Sequence, residues 1–334
     1  MYFVGKGVFR TVILAGIDIG GTKCAVSLGR AGNGHITLLS KKKFKTLKSP
    51  ERTVSHLIER LNEMLGDQRI SKPDAIGISC GGPLNSEAGL ILSPPNLPGW
   101  EGVQIVSPFE AEYGVPVRLQ NDANACALAE WMWGAGQGLR NVVFLTFGTG
   151  MGAGIIINGK LYSGTNDNAG EVGHIRLTED GPIGHGKPGS FEGYCSGGGI
   201  VRLAGKLANE ALERGESGSW YRKKEDLPRL TAEIVAAAAR EGEPLALKVF
   251  RIVGERLGQG AAIIVDLLNP ERIVIGSIFA RQRELLEPVM LEALRKEALS
   301  VSLSACSVVP AGLGEQVGDY AALSVALYAF DQRR

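Results

Sequence analysis

Near the start of the chain, apolar residues fall in short continuous runs bounded by glycine and polar clusters, the mark of strands rather than helices. Thr11–Ile19 (TVILAGIDI), Cys24–Gly29 (CAVSLG) and His35–Phe44 (HITLLSKKKF) predict three consecutive strands. Apolar positions then take helical spacing from Glu51 to Leu65, and Asp74–Cys80 (DAIGISC) returns to a strand. A loop rich in Pro and Gly is expected over 81–102, then a short helix near Ile105, a strand at Val115–Gln120 and a helix from Ala123 to Trp133. There the pattern restarts. Residues 141–162 (NVVFLTFGTGMGAGIIINGKLY) read as two strands around a glycine turn, then a hairpin. A strand, a Gly-Thr turn and a second strand thus occur twice, at Asp18 and at Thr146, which hints at two related halves. The polar stretch Glu210–Asp226 is expected to be a mobile insertion. Helices follow at Ala232–Arg240 and Pro244–Leu268, a strand at Arg272–Gly276, a helix at Arg281–Ala298, a strand at Cys306–Pro310 and a closing helix after Gly318. Strands alternating with helices make the class α/β, with mixed sheets.

Length and charge narrow this. At 334 residues the chain exceeds one ordinary core and suggests two domains. A net charge of +1 gives no general attraction to nucleic acid or to an anionic membrane. Lys41, Lys42, Lys43 and Lys45 read as a solvated strand edge. The apolar run Thr11–Ile19 is far short of a membrane span and carries Asp18, so it is expected to be a buried strand. Five scattered cysteines with no CxxC pair fit a reducing, cytoplasmic setting.

The glycine turns raise the chemical question. In Asp18-Ile19-Gly20-Gly21-Thr22-Lys23, two glycines permit positive φ and close backbone approach. Successive N–H groups, the Thr22 hydroxyl and the Lys23 charge could cradle an anion, with Asp18 holding Mg²⁺ through water. A plain hairpin with a Gly-Gly turn explains the same residues. The order Gly-Gly-Thr-Lys is not a P-loop. At the second turn, Gly148 to Ala153 matches a dinucleotide fingerprint with Glu171 about twenty residues on. That fingerprint needs a helix, and the β-branched run after it is a strand, so a second phosphate-contacting hairpin fits better. Asp122, in QNDANACALAEW, is expected near a helix N-cap, where a cap or a general base would both be a carboxylate, and Asn121 could hydrogen-bond a polyol. Glu171 and His174 are three apart and share a face if their segment is helical, and Glu192 opens a helix. Taken alone, the first pair is better explained as a surface Glu and a satisfied His.

Taken together, the segments DIGGTK, GGPLN, SPPNLPGW, NDANACALAE, FGTGMGAGIIINGKLY, GEVGH and AGLGEQVGDYAAL resemble the ROK family (repressors, open reading frames, kinases) of the actin/hexokinase-like ATPase superfamily. The resemblance implies a two-lobed, ribonuclease H-like fold, with mixed sheets flanked by helices and ligands in an interlobe cleft. It divides the chain into 1–120 and 121–334, with a last helix at 317–330 packing back on the first lobe. It implies ATP held by Asp18, Gly20, Gly21, Thr22 and Lys23, by Thr146, Gly148, Thr149 and Gly150, and near Gly276. It places a sugar against Asn96, Asn121, Asp122, Glu171, His174 and Glu192, with Asp122 as catalytic base and Mg²⁺ on the phosphates. The activity implied is ATP-dependent phosphorylation of a hexose, glucose first, or of an N-acyl hexosamine, at the 6-hydroxyl. An inactive sugar-binding sensor of the same fold is the alternative, and a nicotinamide dehydrogenase is weaker. A cytoplasmic homodimer is implied, with neither nucleic acid nor membrane as partner: only about a dozen residues precede the first strand, too few for a DNA-binding module.

Two departures stand out. The family's CxCGxxGC zinc motif falls here on Ile183, His185 and Ser190, so no structural zinc is expected. The adenosine-side turn, usually several glycines, keeps only Gly276.

Overall fold

The structure, a computed structural model, describes residues 11–332. The expected early strands form as β1 (Val12–Ile19), β2 (Lys23–Gly32) and β3 (His35–Lys45). Asn33 and Gly34, with φ of 53° and 76°, make the mirror-image turn that a tight β2–β3 hairpin needs. Helix α1 (Pro50–Asp67) starts where the Ser49 side chain accepts from the Arg52 amide and proline occupies the first turn. β4 (Ala75–Cys80) follows. The expected loop 81–102 contains two short strands, β5 (Leu84–Asn85) and β6 (Leu90–Ile91), which form a three-stranded sheet with β7 (Val103–Gln104). Two-residue strands show no periodicity, so the sequence conceals them. Next come α2 (Val106–Tyr113), β8 (Val117–Asn121), α3 (Asp122–Trp133), β9 (Val142–Phe147), β10 (Met151–Ile157) and β11 (Lys160–Tyr162). Two small strands, β12 (Ile183–Gly184) and β13 (Lys187–Pro188), lead to α4 (Phe191–Tyr194) and α5 (Gly197–Glu213). The chain ends with α6 (Ala232–Arg240), α7 (Pro244–Leu268), β14 (Arg272–Ile275), α8 (Ile278–Arg281), α9 (Arg283–Glu297), α10 (Ser300–Ser304), β15 (Ser307–Pro310) and α11 (Val317–Asp331).

One expectation is corrected. The stretch 210–226 is not loop throughout: it begins as the last turn of α5, and Trp220 and Tyr221 are buried, their rings edge to face at 4.6 Å. The helix expected over Arg281–Ala298 forms as α9, which follows the one-turn α8 across Gln282.

The chain packs as two compact units. One holds the chain up to Arg140, Gly154–Ala169 and the chain from Glu315; the other holds Asn141–Ala153 and Gly170–Gly314. Helix α3, expected to head the second lobe, belongs to the first unit because it packs against α11.

In the first unit the sheet order is β3-β2-β1-β4-β8, with β1, β4 and β8 parallel. One face buries Ile17, Val26 and Ile78 against Leu57, Leu61, Trp100 and Phe109. The other buries Leu14 and Ala75 against Leu323, Ala326 and Leu327 of α11. That helix lies on the sheet backbone itself: a Cβ on Gly77 would stand 2.1 Å from the Ala322 carbonyl oxygen. In the second unit β9, β14 and β15 are parallel, β14 in the middle. Helix α7 packs on α9 with similar intimacy, since a Cβ on Gly258 would lie 2.4 Å from the Met290 oxygen.

Candidate functional site

In the first unit, parallel strands bring chemistry to their carboxyl ends, the usual place for ligands in such sheets. Ile19 pairs with Cys80, and Cys80 with Asn121, so Asp18, the Gly81-Gly82 turn and the start of α3 lie side by side. Asp122 stands beside the cap of α3, as expected. Asn121 is the N-cap: its Oδ1 accepts from the Ala123 amide at 2.8 Å and the Asn124 amide at 3.4 Å. Asp122 is the first helical residue and is exposed, its Oδ1 also accepting from the Ala123 amide at 2.8 Å. The helix N-terminus favours negative charge there.

Asp18 is partly buried, and its carboxyl is pushed up to about 6. Loss of water is the main cause; Lys41 opposes it, Asp122 adds to it, and Lys43 and Asp319 act more weakly. The acidic pair is therefore close enough to interact. Lys41 is ion-paired with Asp319.

The Gly20-Gly21 turn serves close approach, not positive φ. Neither glycine has a left-handed backbone. A Cβ on Gly21 would stand 2.1 Å from the Asn96 carbonyl oxygen, and the Gly20 amide donates to Lys23 O at 3.1 Å. Exposed Thr22 and Lys23 stand at the turn, and Asn96 is also exposed, its side-chain oxygen 3.7 Å from where a Cβ on Gly81 would be.

The second unit repeats the arrangement. Leu145 pairs with Ile275, so the Thr146–Gly150 turn and Gly276 lie at neighbouring carboxyl ends. Thr146 Oγ1 accepts from the Gly152 amide at 2.9 Å and locks the turn. Gly148 is open: the nearest atom to an added Cβ is Ser277 Oγ at 3.6 Å. Thr149 is exposed at the tip. Gly276 is buried, and the position of its Cβ is met at 3.0 Å by the Phe144 ring, so the single glycine opens no space. Its neighbour Ser277, with φ of 51°, is the unusual residue there, and nothing in the sequence marks it.

Glu171 is exposed and stands at the N-cap of a 3-10 turn over Val172–His174, a geometry in which residues three apart stand one above the other. Glu192 Oε2 accepts from the Met151 amide at 3.1 Å, which joins α4 to the turn carrying Gly150. Sequence reasoning missed Lys187, whose Nζ donates to the His174 carbonyl oxygen at 2.7 Å. It also missed Asp167, whose carboxylate accepts from the amide and the hydroxyl of Ser86, each at 2.7 Å.

Among the described residues no three His, Cys, Asp or Glu group as a metal site. Among the described residues no helix is long and apolar enough to cross a membrane.

A glucokinase of Streptomyces coelicolor is 33% identical over 315 residues, which cover 93% of this chain and 96% of the relative. A solved ROK family glucokinase from Streptomyces griseus, in complex with glucose and AMPPNP, is 31% identical with a TM-score of 0.71, covering 95% of this chain and 99% of that one. A solved ROK family transcriptional regulator, a homolog of the E. coli MLC protein, is 26% identical with a TM-score of 0.80, covering 96% of this chain and 78% of that one. The ROK family profile itself matches residues 14–328. With nearly the whole chain matched, and both glycine turns set at the carboxyl ends of parallel strands, this protein belongs to the ROK family and has its actin-like α/β fold.

Proposed function

We propose that this protein transfers the γ-phosphoryl group of ATP to the 6-hydroxyl of a hexose, glucose being the first acceptor to test and an N-acyl hexosamine the second. The observation that carries the reading is the placement of Asp18 near the end of β1 and of Asp122 at the start of α3, brought to one edge by the β1-β4-β8 register, with helix capping served by Asn121. Likeness to a glucokinase over most of the chain supports it. Asp122 takes the proton from the attacking hydroxyl, and the helix start on which it sits fixes the direction of the base. Asn96, Asn121, Glu171, His174 and Glu192 hold the sugar hydroxyls, and each hydrogen bond lost to a wrong epimer leaves a polar group unpaired. The turns at Gly20–Lys23 and Thr146–Gly150 bring backbone amides to the phosphates. Asp18 would hold Mg²⁺, which when bound would neutralise charge on the phosphates. A homodimer, proposed on family resemblance, is checked by sedimentation.

Hexose-dependent ADP release across a sugar panel is the test, with Asp122→Asn alongside. The variant should bind sugar normally by calorimetry and lose about 10²–10⁴-fold in rate. Full activity in Asp122→Asn would remove it as the base. Likeness to a transcriptional regulator favours one second reading, a sugar sensor, which would bind sugar and release no ADP.

A further inference from the structure

The family implies a zinc loop ahead of Glu192, and the donors here do not fit one. Ile183 has no ligating atom, His185 is exposed, and Ser190 offers a neutral hydroxyl where structural zinc takes thiolate or imidazole. From this disagreement we infer that the loop is a metal-independent knot tied at Ser190, and that Ser190 is a positioning residue for Glu192 and His174 in the proposed hexose reaction, on which reading its kinetic role rests.

Ser190 is 0% exposed, and its hydroxyl is engaged in both directions. Oγ donates to the Gly184 carbonyl oxygen at 3.3 Å and accepts from the Gly193 amide at 3.1 Å. The first bond holds the β12–β13 hairpin; the second caps α4, which carries Glu192. The approach is possible only because residue 184 is glycine: a Cβ there would lie 2.7 Å from Ser190 Oγ and 2.4 Å from the Gly193 amide. Backbone bonds extend the knot. The Phe191 amide donates to Ile175 O and the Leu177 amide to Gly189 O, each at 2.8 Å, so the chain leaving His174 is stitched to the chain entering Glu192.

The hairpin acts on His174 as well. His185 and Gly186, with φ of 46° and 77°, form the mirror-image turn of a two-residue hairpin. That turn sets the His185 ring edge-on to His174, with centroids 4.9 Å apart. One buried hydroxyl thus joins the segments that orient an acid and an imidazole. A knot of this kind is indifferent to chelators and fails when its hydroxyl is removed, because a buried amide then loses its acceptor.

The test uses the full chain, Ser190→Ala and Ser190→Cys. It reads amide exchange over residues 175–195, zinc content before and after EDTA, and the Michaelis constants for hexose and ATP. Parent protein should hold far less than one zinc per chain and keep its exchange pattern in EDTA. Ser190→Ala should exchange about tenfold faster at Gly193 and its neighbours and raise the hexose KM. Ser190→Cys, close in volume and a weaker hydrogen-bonding group, should fall between the two and replaces the alanine variant if that does not fold. Unchanged exchange in both variants overturns the knot, as does one zinc per chain whose removal loosens the segment. If the parent shows no hexose-dependent turnover, the kinase reading fails, while the exchange and metal measurements still decide the knot.

Discussion

Gly77 sits in the middle of β4 where α11 crosses it backbone to backbone, and Gly77→Ala should cost about 3 kcal/mol. The added methyl would meet the Ala322 oxygen at 2.1 Å and the Ala326 amide nitrogen at 2.3 Å, whereas relaxed contacts with carbon need about 3.5 Å. Neither atom belongs to a side chain that can turn aside, so the helix must retreat by roughly 1 Å. Leu323, Val325 and Leu327 are buried in α11 and contribute about 1.5–3 kcal/mol each. A gap of that width forfeits a quarter to a half of their contact energy, about 1–4 kcal/mol in all. Urea unfolding followed by tryptophan fluorescence measures it. Trp133 is a local reporter, since its indole N–H donates to Ser324 Oγ of α11 at 3.0 Å. Gly205→Ala is the control: that glycine lies inside α5 with nothing within 4 Å of its Cβ, so the same change should stabilise by about 0.5–1 kcal/mol. A Gly77→Ala protein as stable as the parent would refute the backbone contact.

Two further outcomes are expected. Asp18 carries a carboxyl pushed from 3.8 up to about 6 in the ligand-free fold, so the folded state holds its proton more tightly and stability falls as pH rises through that interval, the loss being constant above it. Asp18→Asn should therefore match the parent near pH 4 and exceed it at pH 7.5, by about 3 kcal/mol at most before solvent screening, in urea unfolding with EDTA present; an equal difference at both pH values refutes the shift. Asp167 closes two hydrogen bonds to Ser86 from a left-handed backbone at φ 62°, so Asp167→Ala should cost about 1–3 kcal/mol and expose the Ser86 amide to exchange, and Asp167→Asn, which tolerates that backbone, should cost less. Unprotected exchange at Ser86 in the parent would dismiss the clasp.

Hydrophobic runs predict β1, β4, β9 and β14 because a strand buried on both faces leaves an unmistakable apolar signature. Helix α5 escapes notice because it opens on Gly197-Gly198-Gly199, a run that reads as a loop; yet a Cβ on Gly199 would lie 2.3 Å from Gly193 O, so the glycine is there for packing. Gly21 makes the same point from the other side. Its sequence context suggests phosphate and its immediate neighbour is the Asn96 backbone, a contact between residues far apart in the chain that no local pattern encodes. Division of labour between Asn121 and Asp122 is invisible for a different reason: both residue types cap helices, and only the backbone shows which one does.

Helix α11 has a consequence for synthesis. It leaves the ribosome after every other strand and helix described above, yet it covers the face of the sheet made by β1 and β4. Between translation of Arg140 and of Val317, Leu14 and Ala75 wait without their native cover for roughly ten to thirty-five seconds at ordinary elongation rates. During that interval the second unit, whose segments Asn141–Ala153 and Gly170–Gly314 emerge complete, can close before the first. A nascent chain stalled before α11 therefore presents a sticky half-sandwich, and chaperone dependence of this protein should concentrate at that stage of its birth.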